Sequence, residues 1–142
     1  MIISENSVAL LEQVDRLADA FAASAVFAAY QKQSQILAKD QAAQRQITTL
    51  QTLKTDYQQI KPYGHYAPGY RQLKHKLQQK TREVMLLPSV AAFKRAEMDL
   101  QTVLDEMSVQ LASCVSPDVK VATGNPFYLT DRTKSDCISR SE

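Results

Sequence analysis

The side chains able to do chemistry in this chain are few. They are His65 and His75, the carboxylates Glu97, Asp99, Asp105 and Glu106, and the thiols Cys114 and Cys137. General acid–base work by the histidines needs a second group held nearby, yet a loop and at least a helical turn separate the two. The chain has no HExxH, no Gly-rich phosphate loop and no nucleophile elbow. Carboxylate pairs act as acid and base when they oppose each other across a cleft. Asp99, Asp105 and Glu106 instead fall mostly off the apolar side of one long helix, the pattern of a solvated face. Glu97 interrupts an apolar series. It either reaches water by its flexible stem or, as a paired carboxylate, fixes helix register. Cys114 lies on the apolar side and reads as a small hydrophobe. Cys137 sits in a polar tail where it packs against nothing. One cysteine cannot hold an iron–sulfur cluster, which takes four thiolates. Cys137 is therefore either a thiol without a role or one ligand of a cluster shared between subunits. The pattern predicts a protein that is not an enzyme.

A second group has the chemistry of recognition. KPYGHYAPGY carries Tyr63, His65 and Tyr66 between two prolines and two glycines, a composition that demands a turn. Tyr57 and Tyr70 flank it at core positions, which leaves Tyr63 and Tyr66 as the exposed rings. Aromatics beside cations suit nucleic acid, and tyrosines are also enriched at protein–protein hot spots. The reading favours a protein partner. Lys94 and Arg95 lie on the exposed side of FKRAEMDL. Asn125 and Pro126 form a turn that presents Phe127 and Tyr128 as apolar anchors.

The elements that must position these groups are helices. From Ser89 to Val115, the residues Val90, Phe93, Glu97, Leu100, Leu104, Met107, Leu111 and Cys114 alternate by three and four, the seam of a helix packing lengthwise on others. Pro88 suits its first turn and Pro117 lies just past its end. Ser4 or Asn6 can cap a first helix with Val8, Leu11, Val14, Leu17, Ala18 and Phe21 on its inner face. Ser24 caps a second, carrying Val26, Phe27, Tyr30 and Leu37. Asp40 caps a third, with Ala43, Ile47, Leu50, Leu53, Tyr57 and Ile60 inward. A fourth turns Tyr70, Leu73, Leu77, Thr81 and Val84 inward and Arg71, Lys74, His75, Lys76, Lys80 and Arg82 outward. Those cations can meet RNA phosphates or simply keep the face soluble. DVKV alternates like a short strand, but a lone strand is not stable.

The fold class is therefore all-α: a bundle of four or five helices over residues 1–115, including a long antiparallel hairpin. An irregular tail follows over residues 116–142. Composition agrees, with abundant Ala, Gln, Leu and Lys, three glycines and no Trp. The net charge of +2 gives no global argument for nucleic acid or for an anionic membrane. No apolar run approaches the ~20 residues of a membrane span. MIISENSVALLEQ lacks the basic start and apolar core of a secretion signal. Two distant cysteines make no disulfide framework, so a reducing cytoplasm is expected.

GHYAPGYRQLKHKL, VAAFKRAEMDLQTVLDEMSVQLA and SPDVKVATGNPFY together resemble the YlbF/YmcA family, its YlbF branch above all. The resemblance runs from about Ile3 to Tyr128. It implies a small helical cytoplasmic protein that works in a complex with YmcA-like and YaaT-like proteins. It further implies that the complex is associated with iron–sulfur clusters and directs endoribonuclease Y, and through mRNA maturation affects competence, sporulation and biofilm formation. The family tail is rich in cysteine after the NP-aromatic segment, whereas LTDRTKSDCISRSE has Cys137 alone. Docking is thus the better preserved expectation. A shared cluster would need partners to supply more of its ligands.

Overall fold

The structure is a computed structural model and describes residues 5–116 and 118–124. Five α-helices follow one another: α1 (Glu5–Ala22), α2 (Ala25–Lys39), α3 (Gln41–Ile60), α4 (Tyr70–Met85) and α5 (Pro88–Val115). A 3-10 turn, Lys61–Tyr66, joins α3 to the approach of α4. Among the described residues there is no strand, and DVKV pairs with nothing as one. The chain divides into two compact units. One is Ala29–Arg95; the other takes the residues up to Ala28 and those from Ala96 onward.

The helix starts follow their capping residues. Ser24 Oγ accepts the backbone N–H of Phe27 at 3.2 Å, which opens α2. Asp40 Oδ1 accepts the N–H of Ala43 at 3.0 Å, which opens α3. The other oxygen of Asp40 accepts the Ser89 hydroxyl at 2.7 Å, so one carboxylate caps α3 and ties it to the first turn of α5. That hydroxyl bond, with the Ala43 N–H behind it, holds the Asp40 carboxyl below its ordinary 3.8. Gln44 Nε2 donates to the carbonyl of Leu37 at 2.9 Å and fixes the corner between α2 and α3.

In Ala29–Arg95 the apolar faces meet. Ala43, Val84 and Val90 form the buried core, with Leu37, Ile47, Leu50 and Leu87 packed against them. α3 and α4 run antiparallel. Tyr57 meets Tyr70 near the turn, while Ala43 and Val84 meet at the other end. The Tyr57 and Tyr70 rings stack at 5.7 Å and their hydroxyls lie 3.1 Å apart. That hydrogen bond, reinforced by loss of surrounding water, raises the Tyr57 phenol above its ordinary 10.0. Tyr30 and Phe93 pack at 5.6 Å.

The turn is more ordered than a plain loop. KPYGHY winds as 3-10 helix with Pro62 in its first turn, kinked at Gly64, where φ is 54°. Gly69 starts α4 at φ 76°. A Cβ at either position would be strained, which explains the glycines.

The other unit departs from the sequence reading. The predicted inner face of α1 is not covered: Val8, Leu11, Val14 and Leu17 are 42–62% exposed and α1 has no buried residue. The seam of α5 is sealed at Val90 but opens later. Leu104 is 37% and Leu111 58% exposed, and Cys114 is exposed rather than packed. Asp105, expected on a solvated face, is instead 3% exposed. Periodicity marks which side of a helix is apolar; it does not say whether the chain has enough neighbours to cover that side.

Candidate partner-docking site

At about 100° per residue, Leu10, Leu11, Val14 and Leu17 fall within roughly a third of the circumference of α1. Glu12, Asp15, Arg16 and Asp19 occupy the opposite side. This amphipathic helix is ordinary in design, yet its apolar side meets solvent. On α5 and just beyond, Met98, Leu111, Val115 and Val119 are 48–82% exposed as well. Isolated exposed apolar residues need no explanation, but a row along a helix marks a surface that a partner covers.

The chain after α5 is placed by side chains of that helix. At Ser116 it turns: Ser116 N–H donates to the Ala112 carbonyl, and Ser116 Oγ accepts the Asp118 N–H at 3.2 Å. It then returns along α5 until the Gly124 N–H donates to Asp105 Oδ1 at 2.8 Å. Gln101 Nε2 donates to the same oxygen at 2.8 Å. A buried carboxylate is costly without such donors, so Asp105 holds the segment as firmly as the segment satisfies Asp105. A Cβ on Gly124 would displace the amide end of Gln101, which donates to the same carboxylate. Two donors on Oδ1 give this carboxylate a structural task. What it can do is set where the residues after Gly124 begin.

The residues singled out in the sequence fall in separate places. Tyr63 and Tyr66 are 68% and 85% exposed at the turn, and the rings of His65 and Tyr66 lie 4.1 Å apart. Lys94 and Arg95 are exposed on α5, the ammonium of Lys94 lying 5.9 Å from the centre of the Phe93 ring. Asn125, Phe127, Tyr128 and Cys137 lie outside the described residues, as does the cap position Ser4. The three turn residues stand together; Lys94 and Arg95 stand on a different element. Among the described residues no three His, Cys, Asp or Glu side chains gather as a metal site would require. No described helix is long and apolar enough to cross a membrane.

Sequence reasoning missed two features. The openness of the α1 face has no local signature, since a covered amphipathic helix reads the same. Asp105 had one faint signal, an acid within an apolar helix followed by a glycine after the helix ends. Nothing in the spacing joins partners 19 residues apart.

Comparison with known proteins adds identity to this geometry. Residues 10–116 match the family described as control of competence regulator ComK, YlbF/YmcA. The chain is 37% identical over 128 residues to Regulatory protein YlbF of Bacillus subtilis (strain 168), an alignment covering 90% of this chain and 86% of that protein. It is similar to the crystal structure of Bacillus subtilis RicA in complex with RicF, with a TM-score of 0.73 and 36% identity. That match spans 80% of this chain and 99% of the other. With five helices in this order and the family pattern spanning all but the first turn of the helical region, the chain belongs to the YlbF/YmcA family of competence-control regulators.

Proposed function

We propose that this protein is a non-enzymatic adaptor that assembles with YmcA-like and YaaT-like proteins. In that assembly it directs ribonuclease Y-dependent mRNA processing, and through it competence, sporulation and biofilm formation. The observation that carries the reading is the open apolar side of α1, with Leu10 and Leu11 more than 60% exposed. Such a helix gains stability by burial against another protein, at about 25 cal/mol per Å² removed from water. The regulatory relative supports a regulatory role, and the RicA structure, itself a complex, supports protein partners. In this proposal Lys94 and Arg95 add polar contacts to a partner. The segment held by Asp105 leads into Asn125, Phe127 and Tyr128 as a second contact. Cys137 contributes at most one ligand to an iron–sulfur cluster shared with partner subunits.

The test is anaerobic co-purification of tagged wild type and an L11D/V14D double variant with the two partner proteins, followed by mass spectrometry and iron analysis. The variant is expected to keep its helical circular dichroism and to lose partner capture. Equal capture by both would overturn the docking role of α1. A colourless, iron-free complex whose behaviour is unchanged by Cys137→Ser would end the cluster part alone.

A further inference from the structure

The near-neutral total conceals a division of charge. α4 carries Arg71, Lys74, Lys76, Lys80 and Arg82 against one acid, Glu83. α3 and the turn add Arg45, Lys54 and Lys61 against Asp56. Residues 41–85 are therefore net +6 within a chain of net +2, which leaves −4 on everything else. The fold then decides which way these cations point. Tyr70, Leu73, Leu77 and Val84 are turned toward α3, so Arg71, Lys74, His75, Gln78 and Arg82 line the outward side, all exposed. From Arg71 to Arg82 this side bears no apolar residue; the one exposed apolar side chain on it, Met85, comes at the last position of α4. Protein interfaces have the opposite composition, with lysine depleted and apolar or aromatic anchors at the centre. A row of cations and glutamines with no apolar anchor between Arg71 and Arg82 is suited to phosphates.

The end of this row supplies what phosphates alone would not require. A shallow groove of about 400 Å³ lined by His65, Tyr66 and Arg71 opens at the turn, and a second, also about 400 Å³, runs beside His75, Gln79 and Arg82. Tyr63 and Tyr66 stand out from the turn with most of their surface in solvent. Flat rings beside a cationic track are the arrangement on which unpaired bases stack. Arg71 to Arg82 spans about 16 Å, room for about four or five phosphates at duplex-like spacing.

We infer that the α3–α4 hairpin is a binding site for single-stranded nucleic acid, with phosphates along Arg71–Arg82 and a base stacked on Tyr66 or Tyr63. The site uses none of the α1 residues proposed for docking, so either can fail without the other.

The test is fluorescence anisotropy of a labelled mixed-sequence RNA of about 12 nucleotides, a length within the usual site sizes, titrated with the purified full chain. Matched single-stranded DNA, duplex RNA and polyglutamate serve as competitors. Affinity should fall about 20-fold between about 50 and 200 mM salt, as phosphate contacts by Arg71, Lys74 and Arg82 imply. K74Q/R82Q should reduce the log–log salt slope by about 1.4. Tyr66→Ala should weaken binding about tenfold at an unchanged slope, because stacking is not a charge effect. Single strands of either sugar should compete better than duplex. No binding at low salt would overturn the inference, as would equal binding by R71Q/K74Q/R82Q with its helical content intact. Displacement by polyglutamate as effective as by RNA, with no effect of Tyr66→Ala, would point to an acidic protein and also overturn it.

Discussion

The hairpin and α1 are made from nearly the same alphabet and end in opposite states. Each is an amphipathic helix assembly with apolar residues at steps of three and four. In the hairpin, α3 and α4 turn those residues on each other, and Ala43 and Val84 end 2–4% exposed. In α1 the equivalent residues reach solvent, with Leu10 at 65%. A short turn lets α3 find its partner ten residues later, locally and at low entropic cost. α1 has an even nearer neighbour in sequence, α2 from Ala25, and Phe21 meets Phe27 at 5.7 Å, yet the rest of its apolar side stays exposed. The lesson is that amphipathicity states a demand for burial, and a short link alone does not meet it: a neighbour must also pack its own apolar side lengthwise on the helix.

The largest effect expected from this contrast is on stability. Val84→Asp places an unpaired charge in the core of Ala29–Arg95 and should cost more than about 4 kcal/mol. Leu11→Asp should change stability by no more than about 0.5 kcal/mol, as surface substitutions do. Urea midpoints measure both; similar losses at the two sites would erase the distinction.

Next in size is Asp105→Ala. It strips two donors of their acceptor and should cost about 2–3 kcal/mol. Amide exchange at Gly124 should accelerate at the same time, while exchange in the hairpin stays slow. Unchanged protection at Gly124 would show that the returning segment is held by something else.

Leu104→Ala sharpens the picture of α5. The seam read from sequence implies a core truncation of about 2–5 kcal/mol. At 37% exposure the loss should be about 1 kcal/mol. A full core-sized loss would restore the seam as first read.

The smallest effect is a dependence on pH. The Asp40 carboxyl is held below 3.8 in the folded chain, so its bonds to Ser89 and Ala43 stabilise fully above that value. The contribution disappears as pH falls from 3.8 through the lowered native value. Asp40→Asn keeps a good cap and should flatten this part of the acid profile. An identical profile for variant and wild type would remove Asp40 from the account.

Much of the fold was legible because its signals are local. Asp40 and Ser24 cap the helices that their positions announced, and Pro88 begins α5. The inward residues of α3 and α4 are those their period selects. The exposed tyrosines Tyr63 and Tyr66 followed from the prolines and glycines around them. The candidate site was less legible. Asp105 looked like a surface acid because a helical wheel knows nothing of a chain returning from residue 116 to residue 124. The face of α1 looked like core because a wheel shows polarity and not coverage.

By itself the sequence determined the all-helical architecture, the caps, the hairpin turn and the family. Each rests on interactions within a few residues, where spacing and backbone preference are sufficient. Only the tertiary structure decided that Asp105 is buried against Gly124, that α1 keeps its apolar side open, and that the cations of α4 form one outward row. Those outcomes depend on which distant segments occupy the same space, and burial belongs to that arrangement rather than to any residue in it.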